Sequence, residues 1–207
     1  MISFSSLSLS QFLDALASSE PTPGGGTASA VAGAMGTALL VMVAGLPKTR
    51  SNSDEARTAL DGVRAELLPL RDSLEVCADR DAEAFDAVMA AYRLPKATDE
   101  DKAARKAAIA RAMQGATEVP LQTLRLAGRA LALGETVAQH GNVSAASDVG
   151  VAASLLYAAS EGAAANVRIN LGAWSEEKFR TETAAEADAL SAQAVAILAR
   201  IRTALAG

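Results

Sequence analysis

Twenty consecutive residues, Thr27 to Leu46, read TASAVAGAMGTALLVMVAGL and carry no charge. That is about the length of a membrane span. Small residues recur every fourth place, at Ala28, Ala32 and Gly36 and again at Ala30, Ala34 and Ala38, a spacing that lets helices touch closely. A helix apolar on every side must be surrounded, either by lipid or by other helices. Ala, Gly, Ser and Thr dilute the hydrophobicity of this run, and the other segments are amphipathic, so burial inside a helical bundle is the expected outcome. Only 3% of the chain is aromatic although half is hydrophobic, so Ala, Leu and Val must fill the core. The expected fold class is all-α: a multi-helix bundle around a central small-residue helix. At 207 residues it is read as one domain, 1–207, with a core completed by homodimerisation.

The rest of the chain reads as helix punctuated by capping residues. Ser8 or Ser10 can cap a short helix with Leu9, Phe12, Leu13 and Leu16 on one face. Pro21 and Pro23 end it, and Gly24, Gly25 and Gly26 open the uncharged run. Ser53 followed by Asp54 and Glu55 starts a long helix towards Tyr92, in which Pro69 predicts a kink. Thr98 with Asp101 marks another start, and Pro120 predicts a disturbance of that helix. Gly141-Asn142 is a stop signal. Ser147 and Asp148 are placed to cap the next helix, and Ser175 with Glu176 and Glu177 begins the last. No alternating strand pattern, long linker or internal repeat is present.

Several function classes are excluded or disfavoured. A net charge of -5 argues against a nucleic-acid partner, which needs clustered Lys and Arg. The three glycines are not a nucleotide fingerprint, because no Lys-Ser/Thr follows them and no strand pattern precedes them. The single cysteine, Cys77, excludes an internal disulfide framework and fits a reducing cytoplasm, and MISFSSLSLSQF lacks the features of a secretory signal. His140 is the only histidine; with Cys77 it offers no metal set.

Polar residues that break the apolar pattern are the candidates for chemistry. Leu60, Leu67 and Leu74 recur every seven residues, and the same column continues to Asp81. A carboxylate on that seam must be paired, hydrogen-bonded or protonated, and desolvation raises its pKa towards useful acid–base range. Asp148 stands where a capping acid belongs, beside a turn crowded with hydrogen-bonding groups. Asn166 and Asn170 are one turn apart near the end of an Ala-rich helix, and buried amides need partners. The glycines are expected to expose backbone N–H groups at a helix N-terminus, a favourable place for polar or anionic ligand groups.

Taken together, PTPGGGTASAVAGAMGTALLVMV (21–43), DAEAFDAVMAAYRLPK (81–96), ATEVP (116–120), GNVSAASDVGVA (141–152) and NVRINL (166–171) resemble the cyclodeaminase/cyclohydrolase family. The resemblance runs from about residue 7 to the C-terminus with the motifs in order. It implies an all-helical dimer that binds a tetrahydrofolate derivative in a cleft near the subunit interface, without a metal or other cofactor. The chain begins without a formiminotransferase domain, as the stand-alone enzymes do. Where the family often carries Gly-Lys-Lys after the buried helix, this chain has Pro47-Lys48-Thr49-Arg50.

The implied reaction is hydrolysis of 5,10-methenyltetrahydrofolate, with ammonia release from formiminotetrahydrofolate as the alternative. Either needs a base, an acid and negative charge near a cationic one-carbon bridge. Asp81 is the first candidate for that role and Asp148 the second. Gly24, Gly25 and Gly26 would offer main-chain N–H groups, Asn142 and Asn170 would bind the pterin or one-carbon unit, and Lys48, Arg50 and Lys96 would meet the glutamate tail. A different class also fits these residues: a non-catalytic helical module in which Asp81 and the small-residue helix only build a dimer core.

Overall fold

A computed structural model describes residues 4–172, 174 and 176–206. They form six α-helices: α1 (Leu9–Leu16), α2 (Gly25–Ala44), α3 (Asp54–Tyr92), α4 (Asp99–His140), α5 (Ala146–Leu171) and α6 (Glu177–Ala206), with short 3-10 turns at Phe4–Ser6 and Val143–Ala145. No strand occurs among the described residues, and the all-α expectation holds.

The local signals act largely as their chemistry dictates. Ser8 caps α1 in a reciprocal box with Gln11, Ser53 caps α3 by accepting from the Ala56 N–H, and Thr98 forms a second box with Asp101. Two details differ from the expectation. The helix after Gly141-Asn142 is preceded by a 3-10 turn and starts at Ala146, so neither Ser147 nor Asp148 is its N-cap. The expected cap at Ser175 lies outside the described residues.

Helices α2, α3, α4 and α5 pack in a ring, each against the next, and α6 lies across α4 and α5. Leu60, Leu67 and Leu74 of α3 are fully buried against Leu40 and Val43 of α2, Leu131 and Val137 of α4, and Leu156 of α5. The small residues of α2 set how closely its neighbours approach. A Cβ on Gly36 would lie 2.8 Å from the Ala152 carbonyl oxygen, and one on Gly162 would lie 2.2 Å from Ser29 Oγ. The α2–α5 seam therefore tolerates no added methyl at Gly36, while one at Gly162 would require the Ser29 hydroxyl to rotate away. By length and composition α2, the 143–171 segment and α6 could each cross a membrane; half of the α2 window is buried inside the bundle.

Neither internal proline breaks its helix: α3 runs unbroken through Pro69 and α4 through Pro120. Pro120 lacks the N–H that would bond the Ala116 carbonyl. Asn170 of α5 supplies the missing donor, its Nδ2 lying 2.6 Å from the Ala116 oxygen. A donor from a neighbouring helix thus satisfies the carbonyl that the proline leaves free.

Candidate active site

Helix α2 begins with glycines, so Gly24 at its N-cap has no side chain to offer the first-turn N–H groups. Asp81 of α3 fills that role from outside. Its Oδ2 accepts from Thr27 Oγ1 at 3.0 Å, and the Thr27 main-chain N–H also hydrogen-bonds the carboxylate. The two side chains are 54 positions apart, so the cap is tertiary and joins α2 to α3.

The third glycine exists to let that carboxylate in. A Cβ on Gly26 would fall 2.2 Å from Asp81 Oδ1. No described glycine has a positive φ, so no turn here demands a glycine for its backbone. The requirement at Gly26 is space. Gly25 is exposed and Gly26 is buried, so the three main-chain N–H groups are not equally open.

Burial pushes the Asp81 carboxyl above its ordinary value of 3.8, while the Thr27 hydroxyl and N–H pull it back. The positive end of α2 also favours the ionised form. Among the described residues no cation pairs with it: Arg71 is engaged by Asp72, and Arg80 is exposed. The result is a desolvated carboxylate poised to take up a proton and held in one orientation.

A cavity of about 270 Å³ opens beside this carboxylate. The turn at Pro21, Thr22 and Gly24–Gly26 forms one wall, Asp81, Phe85 and Val88 of α3 a second, Met113 and Ala116 of α4 a third, and Asn166 and Asn170 of α5 the last. Phe85 stands one turn beyond Asp81 and keeps that side of the carboxylate apolar. Asn166 Nδ2 donates to the Gly162 carbonyl at 2.9 Å, and Asn170 Nδ2 donates to Ala116.

Of the expected site residues, the structure gathers Asp81, Gly24, Gly25, Gly26 and Asn170 around this cavity. Asn166, singled out with Asn170 in the sequence, lines it too, and the structure adds Phe85 to the lining and Thr27 behind it as the partner of Asp81. The others do not meet them within one chain. Lys48 and Arg50 follow the far end of α2, where the Arg50 N–H donates to the His140 carbonyl. Asn142 caps the 3-10 turn there by accepting from the Ser144 N–H. Asp148 lies in the first turn of α5, about 27 Å along the helix axis from Asn166. Lys96 is exposed in the α3–α4 turn, at the cavity's end of α3 but outside its lining. No group of three or more His, Cys, Asp or Glu side chains able to hold a metal ion occurs among the described residues.

Fold and site together define a helical bundle with a cavity in which one desolvated carboxylate is faced by carboxamides and a helix N-terminus. Residues 8–189 match the formiminotransferase-cyclodeaminase family, and the chain belongs to that family. It is 45% identical to a methenyltetrahydrofolate cyclohydrolase of Methylorubrum extorquens, over 92% of this chain and 91% of that protein. It is 34% identical to the formimidoyltransferase-cyclodeaminase of Gallus gallus over 84% of this chain, spanning about a third (32%) of that longer protein. Among solved structures, the formiminotetrahydrofolate cyclodeaminase of Thermotoga maritima superposes with a TM-score of 0.86 at 31% identity, covering 98% of this chain and 97% of that one.

Proposed function

We propose that the protein hydrolyses 5,10-methenyltetrahydrofolate to 10-formyltetrahydrofolate, with Asp81 as general base and counter-charge. The observation that carries this reading is the Asp81 carboxylate, desolvated, paired with no cation among the described residues and held by Thr27 against Gly26 in the cavity wall. The similarity to a methenyltetrahydrofolate cyclohydrolase over nearly the whole of both chains supports it.

The substrate carries a cationic amidinium, one carbon bridging N5 and N10. Water adds to that carbon as Asp81 takes the water's proton, giving a neutral tetrahedral centre. The bond from the carbon to N5 then breaks as N5 takes a proton, the hydroxyl becomes a formyl carbonyl on N10, and the hydroxyl's own proton passes to the regenerated Asp81 carboxylate and on to solvent. Asp81, protonated in the first step, is the donor available for the second. A carboxylate whose pKa is raised by burial suits both halves of this exchange. Its negative charge stabilises the cation on arrival, and the low-dielectric wall around Phe85 strengthens that attraction. The cavity accommodates the fused rings, leaving the glutamate tail to extend outside towards the Lys96 end of α3.

Cyclodeamination passes through a related tetrahedral carbon from which ammonia leaves, and the same carboxylate would serve it. The close superposition on a formiminotetrahydrofolate cyclodeaminase keeps this as the second reading.

The functional unit is taken to be a cytoplasmic homodimer with no nucleic-acid or membrane partner and no bound cofactor. Support for the dimer comes from the outer face of α2, where Met35 is 53% and Met42 42% exposed along an uncharged stripe. A two-fold axis through the middle of α2 would carry Lys48 and Arg50 of one copy to the glycine end of the other, where the tail emerges. Enzyme-dependent loss of methenyltetrahydrofolate absorbance above the spontaneous rate tests the main reading. Ammonia release from formiminotetrahydrofolate, without that loss, would replace it with the second.

A further inference from the structure

We propose that Pro120 is a positioning residue: by withholding an N–H from the Ala116 carbonyl it fixes the Asn170 side chain with its amide oxygen turned to the cavity, as an acceptor for an N–H-rich ring edge. The inference rests on the folate reading above and names what the far wall recognises. Carbonyl oxygens only accept, so the part of Asn170 facing Ala116 must be its NH2 group. The planar carboxamide then presents its oxygen on the opposite side. Asn166 is held the same way, its NH2 group on the Gly162 carbonyl one turn below.

Both side chains line the cavity, across from the glycine turn and Asp81. The Asn170 carboxamide oxygen fixed in this orientation makes an acceptor surface on that wall. Such a surface selects a planar heterocycle with an exocyclic amine and an adjacent ring N–H, the amino-pyrimidinone edge of a pterin, over one lacking those donors. An ordinary residue at position 120 would donate its own N–H to Ala116, as the rest of α4 does, and Asn170 would lose its anchor. The bond links residues 54 positions apart.

The test is a double-mutant cycle on the full chain, read as affinity for the non-reacting 5-formyltetrahydrofolate by calorimetry. Pro120→Ala and Asn170→Ala should each weaken binding about fivefold to tenfold, the scale of one hydrogen bond. The double variant should be no weaker than Asn170→Ala alone, because Pro120 acts only through Asn170. Wild type should prefer the folate over its 2-desamino analogue, and Asn170→Ala should lose that preference. Multiplicative losses in the double variant, or full affinity in Pro120→Ala with only its melting temperature changed, overturn the inference while folate binding by wild type stands. Absence of folate binding by the wild-type protein overturns the inference and the proposed function together.

Discussion

Replacing Gly26 by alanine should disable the site while leaving the fold intact. The new methyl would sit 2.2 Å from Asp81 Oδ1, 2.5 Å from its Cγ and 2.6 Å from Oδ2. Ordinary contact begins near 3.4 Å, so the carboxylate must retreat by about 1.2 Å, the difference of those two distances. The methyl itself cannot yield, because it stands in the first turn of α2. A displacement of about 1 Å at a reacting group costs on the order of 100-fold in rate. Stability should barely move. Alanine gains about 0.5–1 kcal/mol over glycine in a helix, and weakening the cap that Asp81 provides loses about 1 kcal/mol. The net effect on the melting temperature is therefore within about 4 °C for a chain of this size. Gly62→Ala, outside the cavity and with nothing within 4 Å of the added methyl, is the control. Initial rates on methenyltetrahydrofolate and thermal melts by circular dichroism measure both halves. If Gly26→Ala keeps more than about half of the wild-type kcat/KM, the placement of Asp81 against that glycine does not govern catalysis.

Three further outcomes follow from the same geometry. Thr27→Val removes the hydroxyl that donates to Asp81 and favours its charged form, so the Asp81 pKa rises further; the limb on which rate increases with pH should move to higher pH, with the alkaline plateau little changed. Asp148→Asn should alter kcat by no more than about twofold, since the group stands about 27 Å along α5 from the cavity asparagines and the proposed dimer brings that end only to where the tail emerges; a large loss would contradict the assignment of the base to Asp81 alone. Gly62→Ala, an exposed helical position with no atom within 4 Å of the added methyl, should raise stability by about 0.5–1 kcal/mol, visible as a higher melting temperature with unchanged activity.

The fold was legible where one local rule acts alone. The seven-residue column of Leu60, Leu67 and Leu74 is buried as its period demands, and the capping boxes at Ser8 and Thr98 are local in the chain. The continuation of that column to Asp81 was the strongest pointer to the site. What was not legible depends on contacts between distant segments. Nothing near Pro120 in sequence shows that Asn170 will satisfy Ala116, so a helix break was the natural expectation. The glycine run suggested exposed main-chain N–H groups, whereas Gly26 is small because a carboxylate 55 positions away occupies the space of its side chain. Asp148, Asn142, Lys48 and Arg50 stand at the opposite end of one chain from Asp81, and the sequence does not show how a second copy would be placed to bring that end to the cavity. Phe85 carried a readable signal, one helical turn beyond Asp81.

The central claim is that the Asp81 carboxylate moves the proton. Asp81→Asn keeps an oxygen that can accept from Thr27 and keeps the side chain's shape, so the helix cap and the cavity persist while the base is lost. The account predicts a fall in kcat on methenyltetrahydrofolate of about 100-fold or more, with the circular dichroism spectrum unchanged and 5-formyltetrahydrofolate still bound. Wild-type kcat in that variant would contradict it.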